Sequence, residues 1–125
     1  MVKLKELYGL PFCDIEIEHN HKKLLLKNIL IDTGSGGTIF KMEKVEEIDI
    51  VIDENDTIET ISGVGGDEFV FVKNLEKLKV GTFEIENFKV EIGVMDYGFD
   101  IEGIIGMNFL KKIKARIDLN NMEIK

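Results

Sequence analysis

Polar and apolar residues alternate along several segments of the chain, and this alternation favours β-strands. Acidic residues alternate with isoleucines from Asp14 to Glu18, and the run from Glu47 to Ile52 has the same period. A period of two residues places one face of a strand in the core and the other in solvent. The frequent isoleucines and valines and the single proline favour strands over helices. The pattern predicts a mainly β protein.

Polar and glycine-rich breaks predict where the strands turn. His19 to His21 separates the first alternating run from an apolar segment that returns between Leu24 and Ile31. Thr57 to Ile61 and Phe69 to Val72 flank glycines, which supply the positive φ that tight turns need. We therefore expect these two segments to be the arms of a hairpin.

The second half of the chain predicts one short helix, Met107 to Ile113, because apolar residues share one face and lysines the other. The other expected elements are a hairpin at 78–85, a strand at 87–94, an acidic loop at 96–100, a short buried strand at 104–106, and a terminal hairpin of 115–119 with 122–124.

Length and composition predict a single globular domain spanning residues 1–125. No apolar stretch approaches the roughly 20 residues of a membrane span, so we expect a soluble protein without a membrane partner. The net charge of −8 argues against a nucleic-acid partner. Cys13 is the single cysteine and the N-terminus lacks an apolar signal core, so a cytoplasmic location is expected.

One segment carries candidate chemistry. The bulky strand Ile29 to Ile31 leads directly into Asp32, Thr33, Gly34 and Ser35. Such a strand belongs in a core, and it delivers one carboxylate to a glycine loop whose backbone amides can hydrogen-bond it. A held carboxylate of this kind is a candidate acid or base.

Other interpretations of the polar motifs remain open at this point. An Asp-Thr-Gly sequence such as that at Asp32 also occurs in ordinary turns. His19 and His21 have the spacing of zinc ligands, but two histidines beside a turn are more often solvent-exposed. No recognisable motif activates Cys13 as a nucleophile, and no Gly-Lys-Ser/Thr follows the glycines at 34–37 to make a phosphate loop. We expect no metal and no cofactor.

Three motifs occur in order: Asp32 to Ser35, the glycine hairpin Ile61 to Gly66, and Ile104 to Leu110. With these motifs the chain resembles the retropepsins, the single-domain dimeric aspartic proteases of retroviruses and their cellular and prokaryotic relatives. The resemblance extends over roughly Leu24 to Leu119. It implies a retropepsin-like closed β-barrel, the acid-protease half, with one short C-terminal helix and a β-hairpin flap.

The resemblance also implies an activity, that of a homodimeric aspartic endopeptidase acting on extended polypeptide. Asp32 would pair with its copy in the other subunit, and the two carboxyls would activate a water molecule without a cofactor. The alternative is a catalytically silent dimeric module that binds peptides on the same fold. The intact Asp32 motif favours the protease, since binding alone needs no ionisable acid.

The resemblance assigns roles to the neighbours of Asp32. Thr33 would hydrogen-bond the opposite loop across the two-fold axis, and Gly34 would let its amide approach the carboxylate. Ser35 could donate its hydroxyl to the outer carboxylate oxygen, which would favour the ionised form and a more acidic working pH.

The hairpin would be the flap that closes over the substrate, with Val64 as its apolar tip. The resemblance assigns substrate binding to Ser62, Gly63, Val64, Gly65 and Gly66, and support of the catalytic loop to Ile104, Ile105, Gly106 and Asn108.

Two positions depart from the retroviral pattern. Retroviral members usually have an acid at the position of Gly36 and an arginine at that of Met107, and these form an ion pair. Both partners are absent together, which avoids a buried unpaired charge and predicts a different support for the dimer.

Overall fold

The computed structural model of the protein describes residues 1–63, 66–98 and 100–125 and is mainly β, as the alternation predicts. The helices are α1 (Met42–Val45), followed by a 3-10 turn (Glu46–Ile48), and α2 (Met107–Lys112). The strands are β1 (Val2–Lys3), β2 (Lys5–Leu7), β3 (Leu10–His19), β4 (Lys22–Ile31), β5 (Ile39–Lys41), β6 (Ile58–Gly63), β7 (Gly66–Val80), β8 (Phe83–Gly93), β9 (Gly103–Ile105), β10 (Ile117–Asp118) and β11 (Glu123–Ile124).

Most of these strands form one sheet with the order β2-β3-β4-β9-β5-β8-β7-β6. Neighbours are antiparallel except for β4 with β9 and β5 with β8, which are parallel. An additional antiparallel pairing joins β3 to β7, with Ile17 opposite Leu78. Strand pairings therefore lead from β3 through β4, β9, β5, β8 and β7 back to β3.

The core is formed by the apolar faces of the alternating strands. Cys13, Ile15 and Ile17 of β3 are buried, whereas Asp14 between them is exposed. In β4, Ile29 is also fully buried, so the strand that leads to Asp32 is fixed by packing. The sequence pattern thus places the candidate loop at the end of a rigid element.

The predicted hairpin turns are confirmed. β3 and β4 are joined at Asn20 and His21, whose φ angles are 51° and 58°. β7 and β8 are joined at Gly81, where φ is 60°. β6 and β7 pair from Ile58 opposite Phe71, so the arms of the glycine hairpin are also confirmed.

The strand predicted for Glu47 to Ile52 is wrong, because this region contains a helical turn. Val45 and Ile48 are both buried, and their spacing of three residues fits one face of a helix. Asp49 then adopts a left-handed conformation with φ 62°, which ends the turn and lets Ile50 enter the core. Within the described ranges, no helix has the length and apolar character needed to cross a bilayer.

The predicted terminal hairpin is confirmed and belongs to a second, three-stranded sheet of order β1-β11-β10. Ile124 lies opposite Ile117 on one side and Val2 on the other. Asp118 accepts hydrogen bonds from the backbone N–H and side-chain amide of Asn121, and these bonds lower the pKa of Asp118. The two ends of the chain therefore pair with each other.

Candidate active site

Asp32 is the first residue after β4, at the end of the buried apolar run. β4 pairs in parallel with β9, with Ile31 opposite Ile105. The backbone N–H of Asp32 donates to the Ile105 carbonyl at 3.0 Å, so the pairing with β9 continues to the acid itself. Asp32 thus directly follows a core strand, as the sequence predicts.

The Asp32 carboxylate is half-buried and bound by its own loop. The Gly34 N–H donates to Asp32 Oδ1 at 2.8 Å, and the Ser35 N–H donates to the Asp32 carbonyl at 3.2 Å. A Cβ at position 34 would lie 3.1 Å from Asp32 Oδ1, so a side chain there would crowd the carboxylate. Glycine lets the amide approach, and the carboxylate is oriented before any substrate binds.

The Ser35 hydroxyl has a different acceptor from the one expected. Its Oγ donates to the Gly37 carbonyl at 2.8 Å, within the loop. A hydroxyl has one hydrogen to donate, so in this geometry it cannot also donate to Asp32. Ser35 therefore stabilises the loop conformation, and the inference of a more acidic working pH loses its structural basis.

Thr33 is exposed and lies beside a hollow of ≈ 410 Å³ that Asp32 also lines. Apolar residues from two other parts of the chain complete the wall, among them Leu10, Ile117 and Leu119. The expected contact of Thr33 with a second subunit stays a prediction, but its side chain is accessible for one.

Thr38 anchors the far end of the loop at 32–38, which is the predicted catalytic loop, and sequence reasoning missed it. Its side chain is 0% exposed. Its hydroxyl accepts from the Gly106 N–H at 3.2 Å and donates to Asn108 Oδ1 at 2.8 Å, while Asn108 Oδ1 also accepts from the Phe109 N–H at 2.9 Å. The loop is thus tied to the start of α2 by a buried polar network.

Main-chain hydrogen bonds and the close contact of Gly106 with Gly37 also hold the catalytic loop against α2. The Met107 N–H donates to the Ser35 carbonyl at 2.7 Å, and the Asn108 N–H donates to the Gly36 carbonyl at 3.1 Å. A Cβ at Gly106 would overlap the Gly37 carbonyl oxygen, so only glycine fits there. Main-chain hydrogen bonds therefore connect the catalytic loop to the start of α2. They lie beside Gly36 and Met107, the two positions where the ion pair of retroviral members is absent.

The four residues expected to support the catalytic loop lie in β9 and at the start of α2, and their supporting role stays a prediction. Ile105 and Gly106 are buried, and Ile104 is half-buried in β9 beside the catalytic loop. Asn108 is half-buried at the start of α2. These four residues contact or adjoin the loop through β9 and α2.

The predicted flap coincides in part with the hairpin of β6 and β7. Gly63 lies opposite Gly66, and Ser62 Oγ donates to Asp67 Oδ1 at 2.7 Å. Val64 and Gly65, the expected tip, lie outside the described residues. The structure therefore describes the arms of this hairpin.

Glu68 connects this hairpin to the loop that follows β8. Glu68 of β7 accepts from the Met95 N–H at 2.8 Å and from the Tyr97 hydroxyl at 2.6 Å. These bonds tie the predicted acidic loop to the hairpin; Phe99 in that loop lies outside the described residues. Burial raises the pKa of Tyr97 well above its usual range, and the hydrogen bond to Glu68 and then the charge of Glu68 add to the effect.

Glu91 is a second residue that sequence reasoning did not single out. A Cβ at Gly37 would lie 2.9 Å from Glu91 Oε1, so this carboxyl lies against the catalytic loop. Burial and then the nearby charge of Glu59 raise the pKa of Glu91, with Glu68 adding to the effect and Lys89 opposing it. The only signal in the sequence was an acid near the end of a strand, which is common.

The alternative chemistries gain no support from the structure. Cys13 is buried, and burial raises the pKa of its thiol to about 12, which leaves it protonated and unreactive at neutral pH. Among the residues that the structure describes, no three or more His, Cys, Asp or Glu side chains form a group suited to a metal ion.

Comparison with known proteins gives a family and a fold. Residues 15–109 match the family described as Aspartyl protease. The crystal structure of a retropepsin-like aspartic protease from Rickettsia conorii is similar, with a TM-score of 0.71 and 21% identity over 99% of this chain and 87% of that chain. No curated protein matches the chain significantly.

Proposed function

The chain belongs to the aspartyl protease family and has a retropepsin-like fold, and we propose that it is a homodimeric endopeptidase with one Asp32 from each subunit at its centre. The Asp32 geometry carries this proposal. A single carboxyl is delivered by a buried strand and oriented by the Gly34 N–H, while Thr38 and Asn108 fix the loop that holds it. Two such half-sites facing each other make a pair of carboxyls.

The proposed reaction divides acid and base work between the two carboxyls. Like charges a few ångströms apart cannot both be ionised, so the pair holds one proton. The ionised carboxyl takes a proton from a water molecule, the water oxygen attacks the peptide carbonyl carbon, and the protonated carboxyl donates its proton to the carbonyl oxygen. In the resulting tetrahedral intermediate, the carboxyl that took the water proton donates it to the peptide nitrogen, and the other carboxylate takes a proton from a hydroxyl of the intermediate. The C–N bond then breaks to give an amine and a carboxylic acid, and the pair again holds one proton. No covalent enzyme adduct forms.

The proposed substrate is a flexible polypeptide segment in an extended conformation. Residues 62–66 would act as a flap that adds backbone hydrogen bonds to such a segment, as strand addition does elsewhere. The pairing of β6 with β7 supports this assignment, and the pairing of β3 with β7 supports the closed barrel expected from the resemblance. The buried free thiol of Cys13 is compatible with the cytoplasm, which we propose as the location.

The test is cleavage of a diverse peptide mixture from about pH 4 to 7, a range between the usual Asp pKa and neutrality. The parent protein is compared with Asp32→Asn, and Asp49→Asn is the matched control. Asp49 is exposed and has a left-handed backbone that Asn also adopts readily, so the control should fold and cleave normally.

Cleavage by the parent and by Asp49→Asn, with none by Asp32→Asn, is the expected result. Equal cleavage by Asp32→Asn and the parent would show that Asp32 is not the catalyst. Binding of peptides without cleavage by any of the three proteins would favour the alternative of a silent peptide-binding module.

A further inference from the structure

We propose that Glu91 is a specificity-determining residue, and that it selects polypeptides with a lysine or arginine within about four residues of the cleaved bond. The inference rests on the proposed peptidase function and names the class of substrate that the same site takes. Two features of Glu91 support it. Its carboxyl lies against the catalytic loop, and that carboxyl has no partner among the residues that the structure describes.

The position of the Glu91 carboxyl is fixed by contacts with the catalytic loop. A Cβ at Gly37 would lie 2.9 Å from Glu91 Oε1 and 3.1 Å from Oε2, so both oxygens occupy the space of a side chain at position 37. The Glu91 N–H donates to the Thr38 carbonyl at 2.9 Å, which holds the backbone of Glu91 against the end of the same loop. Glu91 is half-buried, so a ligand can reach it from solvent.

The catalytic loop is compact enough to bring Glu91 near the cleaved bond. The hydrogen bond from the Ser35 N–H to the Asp32 carbonyl closes a β-turn, in which the first and last Cα atoms are less than about 7 Å apart. Gly37 is two Cα–Cα steps of about 3.8 Å beyond Ser35, so its Cα lies within about 15 Å of the Asp32 Cα. An extended peptide covers this distance with about four residues.

The neighbouring glutamates have partners, whereas Glu91 does not. Glu59 forms an ion pair with Lys89, with Nζ and Oε1 3.6 Å apart. Glu68 accepts two hydrogen bonds, one from a backbone N–H and one from a tyrosine hydroxyl. In the described part of the chain, the Glu91 carboxyl has neither a hydrogen bond nor an ion pair. A cationic group from outside the chain is therefore a partner that this carboxylate can accept.

The electrostatics of this position favour a cation over a neutral group. Burial and then the charge of Glu59 raise the pKa of Glu91, so its ionised form is incompletely stabilised in the protein. A substrate ammonium or guanidinium group that hydrogen-bonds the carboxylate supplies the missing stabilisation. A hydrogen bond to a charged group contributes about 10- to 100-fold in affinity. The net charge of −8 also favours the approach of cationic peptides.

The surroundings of Glu91 suit a long cationic side chain. Glu91 pairs with Ile39 of β5 on one side and with Val72 of β7 on the other, and Val72 is half-buried. Lysine and arginine pack their methylene groups on apolar residues while the charged end reaches a polar partner. β7 is also one arm of the proposed flap, so a substrate held between the flap and the catalytic loop passes Glu91.

The first experiment uses the parent protein and a diverse synthetic peptide library. Cleavage is run at about pH 6.5, where carboxylates are mostly ionised, and the residues around each cut are identified from the product ends. Lysine and arginine should be enriched at one position within about four residues of the cut. Cleavage without enrichment of a basic residue at any of these positions would overturn the inference and leave the proposed function intact.

The second experiment compares matched peptides that differ only at the enriched position. The parent should cleave the lysine peptide with a kcat/KM about 10- to 100-fold above that of the glutamine peptide, and Glu91→Gln should reduce this ratio to within about threefold of one. Glu86→Gln is the matched control, because Glu86 is exposed on the same strand and its change removes the same charge. An unchanged ratio in Glu91→Gln, or an equal loss in both variants, would overturn the assignment to Glu91.

The dependence of this ratio on pH separates a substrate contact from a structural role. Both peptides use the same Asp32 pair, so its titration cancels in the ratio. The charged groups near Glu91 are Glu59 of β6, Glu68 of β7 and Lys89 of β8, and the two glutamates raise its pKa while the lysine opposes them. The preference for lysine should therefore decline as the pH falls from about 7 to 4 in the parent and stay flat in Glu91→Gln. A ratio that is independent of pH in the parent would contradict the proposal.

Binding distinguishes failure of this inference from failure of the proposed function. If the parent cleaves no peptide, the peptidase proposal fails, and the same library is then equilibrated with the parent and with Glu91→Gln. Enrichment of lysine and arginine among the peptides bound by the parent alone would support selection by Glu91. Equal enrichment by the two proteins, or none by either, would overturn it.

Discussion

Replacing Thr38 by valine tests whether the buried network holds the catalytic loop. Valine has the shape of threonine without the hydroxyl, so the change removes an acceptor for the Gly106 N–H and a donor to Asn108 Oδ1. Gly106 is buried, and an unsatisfied buried N–H costs about 1–3 kcal/mol, to which a lost net hydrogen bond adds about 1 kcal/mol. We expect the free energy of unfolding to fall by about 2–4 kcal/mol.

Two further variants isolate the hydroxyl. Thr38→Ser keeps the hydroxyl and loses one methyl group, which should cost about 1 kcal/mol. Thr57→Val makes the same chemical change at an exposed site and should stay within about 0.5 kcal/mol of the parent.

The assay is urea unfolding at one fixed protein concentration, because the proposed dimer would make the apparent stability depend on that concentration. Melting temperatures should follow, with about 4 °C lost per kcal/mol for a domain of this size. If Thr38→Val were as stable as Thr38→Ser, the hydroxyl would not be the group that holds the loop, and the reasoning would be refuted.

Three further predictions concern Gly106, Asp56 and Cys13. Gly106→Ala should prevent folding or cleavage because its Cβ has no room, whereas Gly36→Ala, where the space is open, should behave as the parent does in both assays. A hydrogen bond from Lys73 lowers the pKa of Asp56 from 3.8 in the folded protein. The ionised Asp56 therefore stabilises the fold above pH 3.8, and this contribution is lost as the pH falls through the lower pKa of the folded state. Asp56→Asn should flatten the dependence of melting temperature on pH below about pH 4. Cys13 should react with a thiol reagent only in urea, and rapid labelling of the native protein would contradict its burial.

Local patterns predicted much of the fold. Alternation identified β3, and glycine or asparagine marked the turns at Asn20 and Gly81, because these signals depend on neighbouring residues alone. The same alternation failed from Glu47 to Ile52, since three apolar residues two apart also fit a helical turn followed by an extended segment. The helical turn is favoured over a strand because it buries Val45 together with Ile48 in the core.

In the candidate site as well, contacts between sequence neighbours could be predicted and contacts between distant residues could not. Asp32 and Gly34 could be predicted because the strand and the glycine loop adjoin each other in the sequence. Thr38 could not, since its partner Asn108 is 70 residues away and only the fold brings them together. Ser35 lies within the motif, but its nearest acceptor proved to be the Gly37 carbonyl, which depends on the loop conformation.

The most direct test of the central claim is a subunit-mixing experiment on the two Asp32 carboxyls. Parent and Asp32→Asn chains are mixed at constant total concentration under conditions in which subunits exchange, and peptide cleavage is measured against the parent fraction. If each site needs one Asp32 from each subunit, only parent homodimers cleave, and an equal mixture should retain about one quarter of the parent activity. Retention of about one half at that point, in a linear relation to the parent fraction, would mean that each chain works alone and would contradict the account.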